Sequence, residues 1–322
     1  MKKKPLAEKS INGAPVKDIY LKRGPLDHLA GSEKKYDRIA KEISAETPDM
    51  KRVICHWGAN LPIAARLKMK RPELKYVQIF HGSDIYVMTK NNETYRSDIL
   101  HGIELADEII CVSQDLKKAV QKLAPNAENI RVFSNGITAK NFHFDPAEKK
   151  KKRIAFVGNL IDIKRAYLLP DIIKKVISKN PDFEFIIMGD GKLRGEIAAN
   201  LEGIPQAKLL GRVSPEQVSS ELGKSDILLL PSKSEGFPCV VNEAKVSGAY
   251  VIGTKLPGII EANLSDDGLV DNDTDEAISS SIAEKILAFP NQPINYEKLV
   301  QEAKNFDWQI ISKEELAAIN AE

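Results

Sequence analysis

Short runs of β-branched and apolar residues recur along this chain, each followed by a stretch of helical periodicity, and that alternation restricts it to parallel sheets covered by helices. The runs are RVICHW (from Arg52), KYVQIF (Lys75), DEIICV (Asp107) and NIRVFS (Asn129), then RIAFVG (Arg153), FEFIIM (Phe183), AKLLG (Ala207), DILLLP (Asp226) and YVIGT (Tyr250). They are nearly unbroken in apolar residues, as strands buried on both faces must be. The two sets are separated by NFHFDPAEKKKKR, where Asp145 and Pro146 precede an unbroken run of cations, Lys149 to Arg153. Two Rossmann-like units are therefore expected, residues 1–147 and residues 148–322. The second reads as a complete domain from Arg153 to about Ala288 with closing helices behind it. In the opening residues, which hold Pro5, Gly13, Pro15, Gly24 and Pro25, only PVKDIY is strand-like.

At 322 residues, 43% hydrophobic and 29% charged, the chain can bury two cores. It has no apolar run of about 18 residues that would span a membrane, and MKKKPLAEKS lacks the apolar stretch of a secretory signal, so a cytoplasmic location is expected. Cys55, Cys111 and Cys239 lie far apart, which argues against a disulfide framework or a CxxC zinc site. Residues 1–140 carry 25 Lys and Arg against 17 Asp and Glu, and the remainder carries 22 against 28. A basic half suggests an anionic partner. Its densest stretch is ARLKMKRPELK, residues 65–75, which reads either as a solvated helix face or as a docking surface for the inner face of an anionic membrane. No aromatic residues interleave with these cations, which disfavours nucleic acid.

In open parallel sheets ligands bind beyond the carboxyl ends of the strands. The residues there are HWGANLP, HGSD, SNGI, GNLIDIKR, GDGKL, GRVS and SKSEGFP. This collection suits a phosphate-bearing, hydroxyl-rich ligand held between two domains. Glu235 and Glu243 are eight residues apart, the first in a Ser-Gly-Pro turn and the second on the helix that follows. Alone they would pass for surface acids, and with no histidine or third carboxylate near them in sequence a metal site is not expected. DNDTD (Asp271 to Asp275) reads as turn and helix cap, and MGDGKLRG lacks the glycine spacing of a dinucleotide fingerprint.

In this order, HGSD, SNGI, VGNL…K, MGDGKL, LLGRVS, LLLPSKSEGFPCVVNEA and FDWQIISKEEL, the chain resembles retaining glycosyltransferases of the GT-B fold, in particular family four, which uses nucleotide sugars. The resemblance covers roughly residues 50–320, and PSxxEGFPxxxxEA is its most specific part. It implies two Rossmann-like domains facing across a cleft, the first on the acceptor side and the second binding the donor, most simply a UDP-sugar. Neither a cofactor nor a metal is implied. Glu243 would accept from the ribose hydroxyls and Glu235 would contact the transferred sugar. Gly236, Phe237 and Pro238 would present backbone N–H groups to ligand oxygens, Pro238 having none to give. Gly158 and Lys164 would receive the diphosphate. His81 would donate to the donor sugar or phosphate, and Arg212 and Val213 would read the base.

The chain departs from the family pattern in two places. Asn159 stands where relatives commonly have Arg, a charge that Arg165 is the candidate to replace. The first domain is expected to be shortened, by about 40 residues against a usual domain, with a partner chain as one source of the missing strands. The implied reaction is hexosyl transfer to a glycan or lipid-linked acceptor in cell-surface polysaccharide synthesis. The alternatives are an inactive donor-binding subunit, or another GT-B activity such as a sugar-nucleotide epimerase.

Overall fold

The computed structural model describes residues 33–150, 152–291 and 294–320, with a short antiparallel hairpin, β1 (Lys9–Ile11) and β2 (Ala14–Val16). The end of PVKDIY lies outside the described residues. The nine apolar runs all form strands. The first four are β3 (Arg52–His56), β4 (Lys75–Phe80), β5 (Glu108–Cys111) and β6 (Ile130–Val132), a parallel sheet in the order β3-β4-β5-β6. The others are β7 (Arg153–Val157), β8 (Glu184–Met188), β9 (Ala207–Gly211), β10 (Ile227–Leu230) and β11 (Tyr250–Thr254), joined by a short β12 (Leu269–Val270). Every residue of β10 is buried, which is why its sequence is a bare ILLL.

The second sheet has the order β12-β11-β10-β7-β8-β9. The chain thus builds outward from β7 in one direction and then returns to β7's other side with β10. The loops after β7 and β10 leave in opposite directions, opening a crevice between them, and this switch point is where doubly wound sheets bind ligands. Local chemistry starts the helices between strands: Ser214 accepts from Gln217 N at the head of Pro215–Lys224, and Thr274 from Ala277 N at the head of Asp275–Ala288. That cap, with Asp275 in the first turn, accounts for DNDTD as expected.

One apolar cluster runs from Phe80, Ile85 and Leu116 in the first half to Phe237, Val241 and Ile259 in the second, so the halves share a buried core at the base of the cleft. Glu261 accepts from the N–H groups of Gln114 (2.8 Å) and Asp115 (3.0 Å), so a carboxylate of the second half caps helix Gln114–Leu123 of the first. Near its end the chain crosses back: Ile137 N donates to Phe306 O and Trp308 N to Ile137 O, fastening the start of helix Trp308–Asn320 to the segment after β6.

Among the described residues the first sheet has four strands against six in the second, and β3 is its outer strand, with Ile54 52% exposed. The basic stretch at 65–75 is not a free charged face. Arg66 pairs with Asp37, Lys68 with Asp107 and the carbonyls of Pro72 and Leu74, and Arg71 with Glu73 and the carbonyls of Thr47 and Met50. These cations fasten helix Leu61–Lys70 to its neighbours, which removes much of the charge on which membrane docking there was expected to rest.

The two halves meet backbone to backbone at HGSD and EGFP. A Cβ on Gly236 would lie 2.1 Å from the carbonyl oxygen of His81, and one on Gly82 (φ +119°) would lie 2.9 Å from the Cα of Gly236. Only glycine permits that approach. Gly236→Ala is expected to cost about 1–3 kcal/mol, the usual range for overpacking, read as a lower urea midpoint. Gly195→Ala, whose methyl would meet open space in helix Arg194–Asn200, should hold or raise the midpoint.

Candidate active site at the switch point

The loops after β7 and β10 are stitched together where Lys233 N donates to Ile163 O at 2.8 Å. The carbonyl of Ser232 accepts from Thr254 Oγ1 (2.6 Å) and from Arg165 Nη1 (3.0 Å), so the β10 loop is held before any ligand arrives. On the other side, a Cβ on Gly189 would lie 1.8 Å from the carbonyl of Gly158, and one on Gly191 2.4 Å from that of Leu160. MGDGKL is thus glycine-rich because the loop after β8 lies directly against the loop after β7.

Lys164 and Glu235 come together within this frame. Lys164 Nζ donates to both oxygens of Glu235, at 2.6 and 2.8 Å, and Ser232 Oγ donates to one of them at 2.6 Å. The Glu235 side chain is 8% exposed and that of Lys164 24%. An ammonium has three N–H groups and a carboxylate about four acceptor positions, so each partner keeps capacity for a ligand. The pair therefore offers a cation and an anion side by side, suited to a phosphate joined to a hydroxyl-bearing ring.

Glu243 lies on helix Cys239–Val246, and among the described residues no side chain donates to its carboxylate. Burial raises its pKa above the ordinary carboxylate value. A half-buried acid without donors is a site for groups that bring their own, such as vicinal hydroxyls. Gly236 lies against His81, while the Phe237 side chain is buried in the shared core with Phe306. Phe237 offers its carbonyl to Asn135 Nδ2 at 3.2 Å, so HGSD and SNGI both touch the EGFP loop. Pro238 occupies the N-cap position of the helix.

Two residues are not brought to the pair. Arg165 has φ +44°, a left-handed turn that sends its guanidinium to Ser232 O and Asp275 (3.1 Å); it braces the β10 loop and does not replace the charge missing at Asn159, which is exposed. Arg212 is exposed on the loop after β9, with Val213 partly buried against the core.

In the first half, His81 follows β4 and faces the EGFP loop. Burial, reinforced by His56, pushes its pKa down to about 4, so its ring is neutral at ordinary pH. Asp84 is buried and accepts from the N–H groups of Gly82 (2.8 Å), His81 (3.2 Å), Ile85 (3.2 Å) and Gly58 (3.3 Å). It organises the loop and has no path to a ligand. Sequence reasoning assigned no site role to Ser232, Asn135, His56 or Trp57. Their position just after strands was the available signal.

Lys164 is the cation that meets Glu235 in this crevice. A grouping of His143, Asp145 and Glu148 lies by the linker, away from this crevice, and His143 and Glu148 there carry no burial that would mark a built site.

Two Rossmann-like units facing across a cleft, with the crevice at the switch point of the second, constitute the GT-B architecture. The chain belongs to the family-four, group 1 glycosyltransferases: residues 11–141 match the model described as Glycosyltransferase Family 4 and residues 151–288 the model described as Glycosyl transferases group 1. It is 29% identical over 271 residues to an uncharacterized glycosyltransferase of Methanocaldococcus jannaschii, covering 84% of this chain and 73% of that one. It is 27% identical over 209 residues to the phosphatidylinositol N-acetylglucosaminyltransferase gpi3 subunit of Schizosaccharomyces pombe, covering 63% of this chain and 46% of that one. The fold is shared with sucrose-phosphate synthase of Thermosynechococcus elongatus (TM-score 0.80, 15% identity, 99% of this chain and 86% of that one). It is shared also with Anabaena HepE, solved with UDP and glucose (TM-score 0.74, 18% identity, 93% and 84%).

The raised pKa of Glu243 has a consequence for stability. An acid whose folded pKa lies above its unfolded value penalises folding once it ionises, and the penalty disappears as pH falls through the folded pKa. Glu243→Gln is therefore expected to raise the melting temperature at pH 7–8. The gain over the parent should vanish near pH 4, as followed by differential scanning calorimetry.

Proposed function

We propose that this chain is a retaining glycosyltransferase that moves a hexose from a UDP-sugar to a hydroxyl of a glycan or lipid-linked acceptor. The observation that carries this reading is the Lys164–Glu235 pair at the switch point, with Glu243 eight residues further along and free to accept. In this arrangement Glu243 holds the ribose, Glu235 the hydroxyls of the transferred ring, and Lys164, with the backbone at Gly158, the diphosphate. The nucleotide in HepE and the N-acetylglucosaminyl group in the name of the gpi3 subunit support a UDP-sugar, with UDP-N-acetylglucosamine the first to test.

The chemistry needs no protein nucleophile. The bond from the anomeric carbon to the phosphate oxygen breaks, the acceptor oxygen bonds to that carbon on the same face, and the acceptor's proton passes to the departing phosphate. Lys164 neutralises charge that grows on that phosphate, where a preorganised cation acts most strongly. The lipid in the name of the gpi3 subunit supports a lipid-linked acceptor.

A second reading, a donor-binding subunit of low turnover, is favoured by one observation: Asn159 is uncharged and Arg165 is committed to Asp275 and Ser232. Incubation with UDP-, GDP- and ADP-sugars separates the readings. Release of free nucleotide, accelerated by acceptor, is the result expected of a transferase; saturable binding without release would mark a binding subunit, and an altered sugar still on its nucleotide an epimerase. Glu243→Ala is expected to weaken UDP binding by about 2 kcal/mol in titration calorimetry, and unchanged affinity would contradict the ribose role.

A further inference from the structure

His56 and His81 stand at the carboxyl ends of the neighbouring strands β3 and β4, and His56 Nδ1 lies 3.1 Å from His81 Nε2. The Trp57 ring stacks on His81 with centroids 4.5 Å apart, and the His56 ring meets His81 edge to edge, with centroids 5.3 Å apart and planes 23° apart. Trp57 is held at φ +69°, a left-handed conformation unusual for a large side chain, although 46% of it is exposed. Its backbone explains how: Trp57 N donates to Ile79 O, and its carbonyl accepts from Asn60 N. Strain of this kind, fixed by surrounding bonds and placed at a cleft, is characteristic of functional loops.

Two ring nitrogens at 3.1 Å share one hydrogen. Two protons between them would clash, and none would set lone pair against lone pair. Neutral imidazole in water favours the hydrogen on Nε2. The arrangement that leaves both rings in that form has His81 Nε2–H donating and His56 Nδ1 accepting. The remaining ring nitrogen of His81, Nδ1, is then a bare acceptor.

We propose that His56 is a positioning residue for His81: it accepts the Nε2 hydrogen, fixes the ring together with Trp57, and leaves His81 Nδ1 to accept a hydroxyl hydrogen from the substrate. His81 thus takes a hydrogen bond from a sugar or acceptor hydroxyl, in place of the donor role that the family resemblance implies. The assignment to substrate rests on the transferase reading, whereas the pairing of the two rings stands apart from it.

The test is long-range nitrogen–proton correlation spectroscopy on the full chain labelled at histidine. With five histidines in the sequence, single replacements assign every ring. Expected at pH 7 are neutral Nε2–H rings at both His56 and His81. In His56→Ala the His81 pattern should change to a mixture of tautomers, and His56→Asn, whose amide oxygen can stand in for Nδ1, should restore it. An Nδ1–H ring at His81 in the parent, or a His81 pattern indifferent to His56→Ala, overturns the proposal. UDP titration of the same samples bears on the transferase reading separately. The expected pattern in a chain without affinity for UDP would support the pairing and remove the transferase.

Discussion

The arrangement depends on a contact in which neither partner can carry a side chain. Gly82 and Gly236 let the loop after β4 lie directly on the loop after β10, and Gly258 lets the next helix approach the same loop, since its Cβ would lie 2.4 Å from Gly236 O. Backbone contact sets the two sheets closer than any pair of side chains would allow. The width of the cleft follows from that distance. So does the placement of His81 opposite the Glu235 loop.

Around this contact the polar groups fall into two sets. Asp84 and Asn135 bond to backbone groups and Arg165 to a backbone carbonyl and the Asp275 carboxylate, and all three brace the loops. Lys164, Glu235, Glu243 and the His56–His81 pair keep donors or acceptors in reserve. The Lys164–Glu235 pair is attractive without a ligand and prevents either charge from being left alone in a partly dry crevice, where an unpaired ion would be costly. Among the described residues Glu243 has no such partner, and burial disfavours its ionised form. A site with both kinds of acid sacrifices stability at one residue while holding the other in register.

Much of this was legible in the sequence, for physical reasons. Strands buried on both faces announce themselves as apolar runs, so the nine runs became β3 to β11. Glycines in HGSD, GDG and EGFP marked loops in close approach. What could not be read was direction. Arg165 follows Lys164 immediately, yet a left-handed φ turns it toward Asp275, a residue far along the chain. The cations of residues 65–75 looked like a free face because Asp37, Asp107 and the carbonyls that bind them come from other elements. His56 was given no role of its own in the sequence, and only the register of β3 against β4 brings its ring to His81.

The central claim is that the crevice at the β7–β10 switch point grips a nucleotide diphosphate sugar through Glu243, Lys164 and Glu235. A crystal structure of the chain with UDP bound tests it most directly. Ribose hydroxyls are expected within hydrogen-bonding distance of the Glu243 carboxylate, with the diphosphate beside Lys164 and Gly158. A nucleotide bound elsewhere, with both acids untouched, would contradict it.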